Sequence, residues 1–264
     1  MFQDFNFDGK FAKDFNLYPV NINNTNDSTS IVSSNTVNNF QSPNYDHDIW
    51  TSVQKGEALT TSIECIKMVD CNIVDITDYD IEQFARWFCR EDRYYKLFFM
   101  YPNNDGIYYN AKINLSKVLI NNETIGVKFD VVTDSQFAWK HIEMNFDFEK
   151  DNEIKIYDYS SALGNKPINL KLICKEDGDY IFKHIFNGKE KLTNIKNCKS
   201  EEIINLTELQ VITSSDNSHD VADDFNYIYP CICNNIHNEA NIYSINKDCK
   251  IKISYEQKRK VGIL

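Results

Sequence analysis

Glycine and proline are scarce in this chain, at 8 and 5 of 264 residues. No Gly-rich loop able to cradle a phosphate is present, and no Gly-x-Ser-x-Gly elbow, so the usual nucleotide-binding and hydrolase signatures are missing. Apolar runs stay well short of the ~20 residues that a membrane helix needs, and no membrane partner is expected. Basic charge is in deficit, at 28 Lys and Arg against 39 Asp and Glu. A net charge of −11 repels nucleic acid, whose binding depends on phosphate neutralisation. The one basic knot, Lys258-Arg259-Lys260, reads as solvated surface. The N-terminus has no basic flank leading into an apolar stretch. The expected location is therefore intracellular, in cytoplasm or nucleus, without secretion by a signal peptide.

Aromatic residues, by contrast, are plentiful: 17 Phe, 15 Tyr and 3 Trp. Five of the Phe crowd the first fifteen residues, at Phe2, Phe5, Phe7, Phe11 and Phe15. Each buried Phe contributes about 1.5–3 kcal/mol, so this segment needs a groove to cover it. A polar stretch rich in Asn, Ser and Thr follows, from Asn21 to Pro43. Its composition is that of a tether, long enough to dock the segment on its own domain or on a neighbour. The expected organisation is an aromatic arm and tether over 1–43, then one β-rich globular domain over 44–264.

Beyond the tether, TDYDIEQFARWFCRED predicts a helix. Thr77 or Asp78 is the N-cap, Asp80 and Glu82 occupy the first turn, and Ile81, Phe84, Ala85 and Phe88 form the apolar face. The stretch from Ile49 to Val69 can also be read as a helix. Downstream the period changes to two. YYKLFFMY and IYYNAKINL flank a turn at Asn104-Asp105-Gly106 and predict a hairpin. HIEMNFDFE puts Ile142, Met144, Phe146 and Phe148 on one face and its polar residues on the other. Further strands are expected at EIKIYDY, INLKLIC, DYIFKHIF, EIINLTELQVIT and CKIKISY, with a turn at Asn187-Gly188. The fold class is α+β and β-rich: an antiparallel β-sandwich with one or two packed helices and an extended N-terminal arm. No internal repeat is found.

Candidate chemistry is thin. Cys231-x-Cys233 with His237 and Cys249 offers zinc-type ligands, although the spacing departs from the common Cys-x2-Cys pattern. An extended Cys-x-Cys is expected to aim its thiols at opposite faces, leaving one buried and one exposed. Cys65, Cys71, Cys198, Cys231, Cys233 and Cys249 are candidates for disulfides in an oxidising setting, and free thiols are expected elsewhere. Ser218-His219-Asp220 has the residue types of a catalytic triad but not its spacing. The run from Asp216 to Asp224 lacks the order of a calcium loop and reads as solvated. His141 and His184 fall in strand patterns. No cofactor and no catalytic residue is expected, and the chain is read as a non-enzyme.

The Phe-rich arm, the polar tether and the Tyr-rich stretches (Tyr94-Tyr95, Tyr108-Tyr109, Tyr157 with Tyr159, Tyr227 with Tyr229) together resemble the polyhedrins, the occlusion-body proteins of insect viruses. That resemblance implies a viral structural protein that self-assembles into an intracellular oligomer or crystalline lattice. Exchanged N-terminal arms would join its copies, and virion components would be further partners. Two other classes fit the composition: a soluble viral or immunity-type binding module without catalysis, and an enzyme with an unfamiliar site that holds His219, His237 and a shifted carboxylate in one deep pocket.

Overall fold

The computed structural model describes residues 3–20, 36–40, 49–54, 56–90, 92–101, 106–120 and 123–263. The structure is 57% strand and 7% helix, with large antiparallel sheets, which makes it a β-rich α+β sandwich. The chain forms two compact units, Met1–Lys140 with Arg259–Leu264, and His141–Lys258. This replaces the expected division into an arm over 1–43 and one domain over 44–264. Each unit has its own hydrophobic cluster, and the two clusters share no residue. No linker marks the boundary in the sequence, because the strand Ala138–Phe148 carries the chain through it.

In the first unit Asp4–Phe7 pairs antiparallel with Tyr95–Met100, Phe5 opposite Phe99 and Phe7 opposite Leu97. Tyr95–Met100 pairs in turn with Ile107–Ile120, as the hairpin reading predicts. Glu123–Thr133, Thr60–Val69 and Leu17–Val20 follow in order across the sheet. The helix Asp78–Phe88 is capped by Thr77, whose Oγ1 accepts from the Asp80 N–H while the Asp80 carboxylate accepts from the Thr77 N–H. Phe84 and Phe88 are the buried part of its apolar face, with Ile81 packed beside them.

The Phe segment closes this core. Phe5 and Phe7 are fully buried. Phe5 meets Phe88 and Phe129, each at 5.7 Å between ring centroids, and Phe7 meets Phe88 and Tyr95. Phe15 packs on Phe84 and Phe88. Phe11 is exposed, and Phe2 lies outside the described residues. The segment thus belongs to its own unit, as the strands Asp4–Phe7 and Lys10–Phe11 and the short 3-10 helix Ala12–Phe15. Burial of several rings offsets the cost of ordering it there. Most of the stretch from Asn21 to Pro43 lies outside the described residues; within it, Thr36–Phe40 pairs with Ile49–Gln54.

Ile49 to Val69 is not a helix. Its described residues include the strands Ile49–Gln54 and Thr60–Val69. The β-branched side chains of Thr60, Thr61, Ile63, Ile66 and Val69 are crowded in a helix and fit a pleated surface. Among the described residues there is one α-helix, Asp78–Phe88.

In the second unit Ile212–Ser214, Ile203–Leu206, Asn169–Cys174 and Cys249–Arg259 form one antiparallel array. A four-stranded sheet orders Glu153–Ile156, Asn241–Ile245, Gly178–Phe186 and Lys189–Cys198. The last two are joined by Asn187-Gly188, both at positive φ (50° and 68°), the conformation of a type I′ hairpin turn. A short pair, Gly164–Pro167 with Cys231–Asn234, completes the unit. Its core draws on both arrays, with Leu172, Ile204, Ile251 and Ile253 from one and Tyr180, Phe182 and Tyr243 from the other. Along His141 to Phe148 the odd positions are exposed while the even ones pack inward, as their alternation predicts.

Candidate functional site

The densest group of chemically capable side chains lies in the second unit. His184, on Gly178–Phe186, meets Cys231 and Cys233, on Cys231–Asn234. All three are buried, and their ligand atoms lie within 4.8 Å of one another. Cys231 Sγ is 3.6 Å from His184 Nδ1 and 4.0 Å from Cys233 Sγ. The expectation of thiols on opposite faces is therefore corrected. Side chains alternate with a period of two, so positions 231 and 233 share a face.

The partners of the expected ligand set also change. His237 is exposed in a turn, and its backbone N–H donates to Asn235. Cys249 is buried opposite Cys174 in another sheet. His184 takes the place of His237. It is 47 residues from Cys231 in sequence and lies in a different sheet, so the two meet through tertiary packing. Alternation in DYIFKHIF is the one signal that marked it, as a strand-face residue.

A set of hydrogen bonds fixes the imidazole. Asn241, fully buried, has its Oδ1 2.9 Å from His184 Nε2. Tyr243 stacks on the ring with centroids 4.6 Å apart, and its hydroxyl donates to the Cys231 carbonyl. Lys191 Nζ lies 3.5 Å from Cys231 Sγ. Hydrogen bonding from the Cys233 thiol, with further help from His184 and Lys191, pulls the Cys231 thiol well below its ordinary value against the opposing effect of burial. Cys233, which gives up that hydrogen bond and is itself buried, is pushed up. Cys231 is thus the thiol of the pair that ionises first.

A second network sits where the sequence reads as a solvated loop. The side chains of His219 and Glu202 are both nearly inaccessible, at 4% and 1%. His219 Nδ1–H donates to Glu202 Oε1 at 2.6 Å. Ser214 also donates to that carboxylate, and the Lys199 backbone N–H holds its other oxygen at 2.8 Å. Asp224 Oδ2 is 3.3 Å from His219 Nε2 but is not aligned for a hydrogen bond. Ser218 bonds instead to Asp216 and Lys199. Ser218-His219-Asp220 therefore makes no nucleophile–base pair.

All eight cysteines are free thiols, including the candidates Cys65, Cys71, Cys198, Cys231, Cys233 and Cys249. His141 stands on its strand face beside Glu256, at 2.9 Å. A cavity of about 500 Å³ is lined by Phe146, Asp147, Lys171, Ile173, Lys250 and Lys252, among others, and holds neither His219 nor His237.

Residues 1–135 match the family model described as the phage tail protein N-terminal domain, and residues 137–255 match the phage tail C-terminal domain. The chain belongs to this family of phage tail proteins. Its two matched segments correspond to the two structural units. Among solved structures the chain is similar to the Dit protein of phage SPP1, described as a paradigm of the hub adsorption apparatus in phages that infect Gram-positive bacteria. The TM-score is 0.66 at 10% identity, over 97% of this chain and 99% of that one. A weaker likeness, at TM-score 0.45 and 11% identity over 98% and 99% of the two chains, is to the phage P2 baseplate in its activated conformation with Ca. No curated protein matches. The polyhedrin resemblance is overturned: the chain is a viral structural protein, but of a phage tail and not of an insect-virus occlusion body. Abundant aromatic residues mislead here because in this fold they fill two sandwich cores, for which Phe5, Phe7, Tyr180 and Tyr243 are examples.

Proposed function

We propose that this phage tail protein is a hub component of the adsorption apparatus at the tail tip, acting by assembly and not by catalysis. The observation that supports this most is the match in fold to a tail hub protein over nearly the whole of both chains. A component at the end of a tube must repeat around the tube axis. Its copies then meet through head-to-tail interfaces that close into a ring. Exposed apolar side chains such as Ile73 and Tyr79 in the first unit and Leu209 and Ile236 in the second offer surface for such interfaces and for neighbouring virion proteins. The protein would be made and assembled inside the infected cell.

Native mass spectrometry of the full chain, with gold-labelled antibodies on intact virions, tests the reading. A closed oligomer of fixed copy number and label confined to the tail tip are expected. A strict monomer at every concentration, or label on the capsid, would overturn it.

A further inference from the structure

We propose that His184, Cys231 and Cys233 bind a thiophilic divalent metal ion, zinc, inside the second unit. The case begins with distances. In a tetrahedral zinc site with Zn–S near ~2.3 Å and Zn–N near ~2.0–2.1 Å, two sulfur ligands sit about 3.8 Å apart and a sulfur and a nitrogen about 3.5 Å apart. The separations here are 4.0 Å for Cys231 Sγ to Cys233 Sγ and 3.6 Å for Cys231 Sγ to His184 Nδ1. Two of the three separations are thus close to those of one ion, and all three donor atoms lie within 4.8 Å of one another.

The tautomer of His184 is the second argument. The Asn241 amide can face only one way. Its Nδ2 donates to the carbonyls of Cys233 (2.8 Å) and Ile156 (3.3 Å), and its Oδ1 accepts from the Cys233 N–H at 2.8 Å. The atom presented to His184 Nε2 is therefore an acceptor, so Nε2 carries the proton. Nδ1 is left with its lone pair directed at the thiols. Zinc-binding histidines are oriented in this way, through an outer hydrogen bond that selects the ligating nitrogen.

A disulfide between the two thiols is a poor alternative. Residues two apart in a strand have Cα atoms about 6.6 Å apart, near the upper limit for a disulfide. The sulfurs would also have to close from 4.0 Å to about 2.0 Å. Metal binding requires the sulfurs to close only from 4.0 Å to about 3.8 Å. Each thiol releases its proton to solvent, and two thiolates neutralise the dication. The fourth tetrahedral position is left to a water or to a donor from outside the chain. Lys191, an exposed side chain, has to swing away from Cys231 as the ion enters.

The test uses the full chain. Zinc is quantified in protein purified from zinc-supplemented cells, and metal-free protein is titrated with cobalt(II), whose thiolate charge-transfer and tetrahedral ligand-field bands report the donor set. Equimolar metal and both sets of bands are expected. Cys231→Ser and Cys233→Ser should lose them, and His237→Ala and Cys249→Ser should keep them. Trace zinc with no charge-transfer band in the unaltered chain would overturn the proposal, and that measurement needs no variant to fold. Bands that persist in Cys231→Ser would overturn it equally.

Discussion

The Asn241 side chain orients the His184 imidazole: Oδ1 stands 2.9 Å from Nε2, while the same amide bridges the backbone of Cys233 and the Ile156 carbonyl. One fully buried residue thereby ties three strands, Glu153–Ile156, Gly178–Phe186 and Cys231–Asn234, to its own. Asn241→Leu keeps the volume and removes every one of these bonds. Leaving the Cys233 N–H and the imidazole unpaired should lower stability by roughly 3 kcal/mol, in line with the cost of stranded buried polar groups. Urea unfolding monitored by circular dichroism measures it; a loss under half that size would mean other groups satisfy the same partners.

Phe5 and Phe7 should behave as core residues of the first unit. Replacing either with Ala is expected to cost about 3–5 kcal/mol, and Phe11→Ala well under about 1 kcal/mol, because only the first two leave a cavity. Thermal unfolding of the three variants gives the comparison. Equal small effects would mean that the segment is not buried in its own unit.

Glu202 sets a pH limit. Burial alone would raise its carboxyl, but hydrogen bonds from Ser214 and His219 outweigh burial and hold it below the usual value of 4.5. A carboxylate depressed in the folded state contributes stability that is present above its unfolded value and is lost as pH falls through the folded one. Unfolding free energy should therefore fall as pH drops below the usual carboxylate range. Glu202→Gln should flatten that fall while leaving stability near neutral pH reduced. Paired urea titrations across the acid range decide it, and an acid limb unchanged in Glu202→Gln would assign the effect to other carboxylates.

Lys191 places a cation 3.5 Å from Cys231 Sγ, where it competes with any metal ion. Lys191→Ala should tighten zinc binding several-fold, read by competition with a chromophoric chelator. Weaker binding in this variant would mean that the lysine assists the site.

What could be read from the sequence was local. The Thr77 cap and the apolar face at Phe84 and Phe88 lie within one helix turn or two, and the alternation from Ile142 to Phe148 lies within one strand. Ile49 to Val69 misled because short apolar runs fit either period. The cluster at His184 was hidden for a different reason. Its members come from strands of two different sheets that pack together, and no spacing in the chain encodes that. The pairing of positions 231 and 233, by contrast, was legible from the period of two alone.

The final residues carry one more consequence. Ile263 is buried in the first unit's core, and the Tyr109 hydroxyl donates to the Gly262 carbonyl. The second unit, His141–Lys258, is thus an insertion within the first, with the chain crossing between them twice. During synthesis the inserted unit has all its strands before the host unit has its last core residue. The usual order in which N-terminal domains finish first is inverted. The first unit, and with it whatever interfaces it presents, therefore completes its core only after every strand of the second unit has been made.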